Sequence, residues 1–214
     1  MTRLLTLRQL SSQGGRALLL ALLMGIPVAG IAQTSAMIVQ PSTPLNWKGK
    51  LQFHAKRAYG PLALVGMAAY AGFLQEINSP KEWGQGGGAY GERYASTLAW
   101  SGIHGTIAFG LDTALRQDPR YYRSDQTGFW RRAGHAVRGT ILTRTDAGGE
   151  TLATWRLGSD YGAAFLSNLW YPDRLDKPRY GFEQGSISLG FDVLGNLGAE
   201  FWPDIKRTVL RRKQ

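Results

Sequence analysis

The chain has 214 residues with 28 glycines and no cysteine, and its 25 Lys+Arg against 15 Asp+Glu give a formal net charge of +10. The missing sulfur excludes a disulfide scaffold, a cysteine-held zinc or iron–sulfur centre and a thiol nucleophile. With 43% hydrophobic and only 19% charged residues, the chain has the composition of one packed domain rather than of a disordered polymer.

At the N-terminus, Arg3, Arg8 and Arg16 precede an apolar run from Ala17 to Val28, and Gly30 and Ala32 are small residues ahead of Gln33. This pattern predicts a secretory signal peptide over residues 1–32, and hence export to the periplasm or a cell-envelope membrane; the alternative is an uncleaved anchor. Residues 33–46 contain Ser, Thr and two prolines without periodicity and read as a flexible lead-in. Residues 47–214 read as a single helical domain with a basic C-terminal tail.

Within that domain a first segment, from about Trp47 to Asn78, includes a charge-free run from Ala58 to Gln75 and stops at Ser79-Pro80. The glycine-rich stretch Gly84 to Gly91 follows. It contains G-x-G-x-x-G, but no strand precedes it, so it reads as a plain connector rather than a dinucleotide site. A second segment, from about Tyr90 to Gln117, stops at Asp118-Pro119. A third, from about Gly128 to Leu142, is short and arginine-rich. A fourth lies near Ser159 to Trp170, and the last runs from about Gln184 into Lys206, Arg207, Arg211, Arg212 and Lys213.

Ser186 to Val193 alternates like a strand, but over a longer window Ile187, Phe191, Leu194, Leu197 and Phe201 share one helical face. The expected fold is therefore mainly α, a bundle of about five glycine-rich helices, with a small outer-membrane β-barrel as runner-up. Gly102, Gly105, Gly110, Gly190, Gly195 and Gly198 are expected to let helices approach closely.

Candidate chemistry is sparse. His104 lies on an apolar helical face with Asp112 about two turns on; a buried histidine near a carboxylate is the arrangement of a general base, and of a hydrogen-bonded core residue too. Asp192, Asn196 and Glu200 recur every four residues, as on a solvated outer face or a carboxylate site facing another helix. His104, Asp112 and Asp192 are the catalytic candidates. The three histidines lack metal-ligand spacing, and no metal or other cofactor is expected.

Arginine carries the clearest signal. Seven arginines between Arg116 and Arg144 face only Asp118 and Asp125, for a net +5, with Tyr121, Tyr122, Phe129 and Trp130 interleaved. Guanidinium groups bind phosphate bidentately and tryptophan favours the headgroup level, so Arg120, Arg123, Trp130, Arg131, Arg132 and Arg138 are read as a surface for anionic lipid headgroups. The competing reading makes some of these arginines internal ion-pair partners. Export argues against nucleic acid as the partner; a second copy or an envelope protein is the other candidate.

Gln117-Asp118-Pro119-Arg120-Tyr121-Tyr122-Arg123, Phe129-Trp130-Arg131-Arg132, Thr143-Arg144-Thr145-Asp146, Ser167-Asn168-Leu169-Trp170-Tyr171-Pro172 and Glu200-Phe201-Trp202-Pro203-Asp204-Ile205 resemble an uncharacterised family of exported proteins from soil bacteria. The resemblance covers about Ala89 to Arg207. It implies a helical fold and an envelope location and brings no activity or site residue. The functional expectation is a non-enzymatic helical envelope protein, associated with or embedded in a membrane. The alternative is a small helical hydrolase acting on a lipid or other phosphoester.

Overall fold

The computed structural model describes residues 43–211; the segment 1–32 read as a signal peptide, most of the lead-in and the end of the basic tail lie outside them. The fold is mainly α, with six α-helices and one small three-stranded sheet among the described residues, and no barrel.

Asn46 caps helix α1 (Trp47–Tyr59), its Oδ1 accepting from the Gly49 N–H at 2.9 Å. The expected first segment is two helices. Proline disfavours helical geometry in the residue before it, so Gly60 is extended, and Pro61 opens α2 (Pro61–Glu76) at a position where its missing N–H costs nothing. After a short 3-10 turn at Lys81–Trp83 comes α3 (Gly87–Ala114). The glycine stretch is more than a connector: Gly84 and Gly86 take positive φ to make the turn, and α3 already begins at Gly87. Arg93, fully buried, holds that turn through its guanidinium, which donates to the carbonyls of Ser79, Pro80, Gly84 and Ala89.

Strand β1 (Gln117–Asp118) follows, then α4 (Phe129–Ile141), β2 (Leu142–Thr145), β3 (Glu150–Leu152), α5 (Thr154–Ser167) and α6 (Pro178–Arg211). The strands form an antiparallel sheet in the order β1-β2-β3, with Asp118 opposite Arg144 and Thr143 opposite Thr151. α6 continues through Pro203.

α5 packs against both α3 and α6; α1 and α2 pack against α3, with α1 also reaching Trp155 of α5 and Asp192 of α6, and α4 lies against α6. Neighbours run antiparallel: Gly158 and Gly162 of α5 meet Leu111 and Ile107 of α3, while Gly181 and Gly185 of α6 meet Phe165 and Tyr161 of α5. The bundle thus has a sheet end and a distal end. At the distal end the Trp83 ring lies tilted against Tyr171 and Arg174 pairs with Glu82 at 2.7 Å.

The close-approach glycines are partly others than expected. Gly102 abuts Tyr59 and Gly105 abuts Ala58, but Gly110, Gly190, Gly195 and Gly198 face nothing within 4 Å. The helix spacing is set by Gly158, Gly162, Gly181 and Gly185. A Cβ at Gly181 would lie 2.5 Å from the Phe165 ring, so Gly181→Ala should cost about 1–3 kcal/mol by overpacking. Gly190→Ala should instead stabilise by up to ~1 kcal/mol through helix propensity. Denaturant titration of both variants measures the contrast.

Candidate functional site

The interior of this protein is polar. Seventeen polar or charged residues are buried, against thirteen apolar ones of which ten are alanine. No leucine, isoleucine, valine or phenylalanine with a described side chain is buried, and twenty large hydrophobic residues are exposed. In globular domains charged residues are almost never fully buried unless paired.

Helical spacing builds the polar interior as stripes. α1 contributes Lys50, His54 and Arg57; α3 contributes His104 and Asp112; α5 contributes Arg156, Ser159 and Asp160; α6 contributes Ser188, Asp192, Asn196 and Glu200. Each set recurs at three- or four-residue intervals or multiples of them, so it lies on one face of its helix. The stripes interlock. Lys50 Nζ is 2.9 Å from Asp146 and donates to the Asp112 carbonyl at 3.0 Å, and His54 Nε2 is 2.6 Å from the Asp112 carboxylate. Burial lowers the pKa of His54 below the ordinary histidine value, with the Asp112 hydrogen bond opposing. Asp192 sits between Arg57 at 2.5 Å and Arg156 at 3.1 Å. Arg156 also donates to the carbonyls of Gly139 and Thr140, and Asn196 donates to Thr140 Oγ1.

His104 Nε2 lies 3.1 Å from Asp160 and 3.0 Å from Ser159 Oγ. The three residue types are those of an acyl-transfer triad, but the connectivity differs. A relay needs the base to meet nucleophile and carboxylate through different ring nitrogens, whereas here both meet Nε2, and Ser159 Oγ also bonds the Arg156 carbonyl. Asp112 is bonded to His54, and Asp192 meets Arg57 and Arg156, so neither is a hydrogen-bond partner of His104. An open depression of about 630 Å³, lined by Arg179, Phe182, Glu183, Ser186 and Ile187, lies on the outer face of α6. Among the described residues no group of three His, Asp or Glu is placed to hold a metal ion.

Asp192, Asn196 and Glu200 overturn the expectation of a solvated face: all three are buried. Glu200 accepts from Tyr121 Oη, the Ser124 N–H and Arg132, which also reaches Asp204 at 2.7 Å. At the neighbouring corner Asp118 accepts from Arg120 and from Tyr122 Oη at 2.8 Å, and Thr143 Oγ1 bonds the Asp118 carbonyl. Burial pushes Tyr122 up to about 12, with the Asp118 hydrogen bond adding to it. Burial also raises Asp118, but the bonds from Arg120 and Tyr122 outweigh it and hold the carboxyl below the ordinary carboxylate range.

The arginine segment therefore divides. Arg120 and Arg132 are internal ion-pair partners, and Arg123 donates to the Glu200 carbonyl. Trp130 (83% exposed), Arg131 and Arg138 point outward, with Arg138 in a solvent-exposed pair with Glu150. Sequence reasoning did not single out Lys50, Arg57 and Arg156 as interior residues and weighed His54 only as a metal ligand, although their helical spacing was a usable signal. The chain matches no family model, and no curated protein or solved structure shows significant similarity to it.

Two stability predictions follow from these pairings. Asp192→Leu should cost about 3–5 kcal/mol by leaving buried Arg156 uncompensated, and adding Arg156→Met should recover part of that loss in a double-mutant cycle. Asp118→Asn should cost about 1.5–3 kcal/mol at pH 7. Because the folded pKa of Asp118 lies below its unfolded value near ~3.9, this advantage is complete above pH ~4 and fades as pH falls further. Urea titrations of both proteins at pH 7 and pH 3 should show the gap narrowing.

Proposed function

We infer that this protein is a non-enzymatic helical component of the cell envelope, associated with membrane lipid and presenting Trp130, Arg131 and Arg138 to anionic headgroups. The observation that carries this reading is a polar, ion-paired interior together with twenty exposed large hydrophobic residues. Large exposed apolar surface marks a contact surface for lipid or partner, and ion pairs turned inward are the arrangement charged groups adopt where the surroundings cannot solvate them. α4 supports the headgroup assignment. Its inner face is tied down by Arg132, Ala136 and Thr140, while Trp130, Val137 and Ile141 flank Arg131 and Arg138 on the outer face. An amphipathic helix of this kind lies at the boundary between headgroups and acyl chains.

Vesicle flotation tests the reading. The protein should float with vesicles containing phosphatidylglycerol and bind purely zwitterionic ones less. Arg131→Ser with Arg138→Ser should weaken binding to anionic vesicles roughly 30-fold, taking about 1 kcal/mol for each basic residue near such a surface. Failure to float with either vesicle type at low salt would overturn it.

A further inference from the structure

The two basic stretches of the sequence meet at one corner of the fold. α4 and the later turns of α6 run antiparallel, since Thr140 and Ala136 meet Asn196 while Arg132 meets Glu200 at 2.8 Å and Asp204 at 2.7 Å. The Phe129 ring stacks on Phe201 with centroids 5.1 Å apart, and the Arg132 guanidinium lies 4.6 Å from the Phe201 centroid. These contacts clamp the start of α4 to α6. Asp204 is the last acidic residue of the chain, and Lys206, Arg207, Arg211, Arg212 and Lys213 follow it.

Helical spacing carries α6 past the clamp. Ile205 is one turn beyond Phe201 on the same face, about 6 Å further along at ~1.5 Å per residue, and it is exposed. Phe129 and Trp130 are exposed too, edge to face at 5.0 Å, so Trp130, Phe129, Phe201 and Ile205 form one apolar ridge across the two helices. Arg207, seven residues after Glu200, continues the row of Glu200 and Asp204 beyond the N-terminal end of α4. Arg207 is exposed, as are Arg131 and Lys206, whose Nζ lies 5.8 Å from the Trp202 centroid. Glu200 and Asp204, the acidic residues at this end of α6, are both engaged by Arg132.

We propose that the end of α6 is a second arm of the membrane-contact surface: Phe129 and Ile205 enter the boundary between headgroups and acyl chains beside Trp130, and Lys206 and Arg207 join Arg131 on anionic headgroups. This rests on the membrane reading above and adds α6 to it. Aromatic and aliphatic side chains flanked by cations suit that boundary, and a basic stretch without a carboxylate of its own complements anionic lipid. No helix among the described residues is long and apolar enough to cross a membrane, and this contact requires no crossing. A second copy fits less well. A two-fold contact centred on the ridge would set Arg131, Lys206 and Arg207 against the same cations of the other copy.

The absence of cysteine lets Ile205→Cys carry a single environment-sensitive fluorophore in the full chain. Leu169→Cys, exposed at the distal end, is the reference, and each variant is matched to the parent by circular dichroism. On vesicles containing phosphatidylglycerol the probe at position 205 should shift to shorter wavelength and be quenched by brominated acyl chains, while the probe at 169 does neither. Lys206→Ser with Arg207→Ser should weaken binding to those vesicles roughly 30-fold, as for two basic residues near an anionic surface. Lys206→Arg with Arg207→Lys should bind as the parent does. If the serine pair binds like the parent, or the probe at 205 stays in water on protein that floats, the α6 arm is overturned and association through α4 stands. If the parent itself fails to float, both fall. A probe at 205 that shifts without vesicles, in step with protein concentration, would assign the ridge to a second copy and overturn the proposal.

Discussion

The arrangement of this bundle depends on one constraint: a charge taken out of water must meet a partner. Lys50, Arg156, Asp112, Asp160 and Glu200 are nearly or fully buried, and an isolated charge in such surroundings would be strongly destabilising. Pairing is thus a condition of the fold, and it dictates which helices touch. Asp192 can be satisfied only if α1 and α5 bring Arg57 and Arg156 to the same place on α6. Glu200 likewise requires α4 and the β1–α4 connection, which supply Arg132, Tyr121 and Ser124.

Small residues make those pairings reachable. Ten buried alanines and the glycines at 158, 162, 181 and 185 bring helix backbones close enough for side chains to bridge them directly. Larger apolar residues in the same positions would hold the helices apart and leave the carboxylates facing voids. The two features are therefore one design. A helix lined with leucine would gain area-dependent burial; a helix lined with alanine and glycine gives that up in exchange for short, charge-assisted hydrogen bonds.

How much of this was legible follows from the same physics. The helical class, the positions of the main segments and the stop at Asp118-Pro119 could be read because periodicity and proline are local signals. The break at Gly60-Pro61 was equally local and was overlooked because the flanking residues carry no charge to mark it. The two-residue strand at Gln117 was not readable, since it exists only through pairing with Thr145. The stripe at Asp192, Asn196 and Glu200 was found but turned outward. Amphipathicity locates two faces of a helix and says nothing of which one is wet; the assignment to solvent borrows the habit of soluble proteins. Arg120 and Arg132 illustrate the same limit, because a guanidinium beside distant carboxylates in sequence looks free until the fold closes.

The polar interior also explains why mean hydropathy understates the apolar character of the surface. Averaging along a helix weighs Asp192 and Glu200 equally with Ile187 and Phe191, although the first pair is buried and the second exposed. In a bundle whose ion pairs neutralise one another internally, the polarity of the sequence is spent on helix–helix specificity, and what the surroundings meet is the remainder. Exposed charge is carried by α1, α4, the sheet, the connections and the terminal turns of α2, α3 and α6. Charge on the surface meets no such constraint, whereas each charge moved into the interior must find its partner on a neighbouring helix.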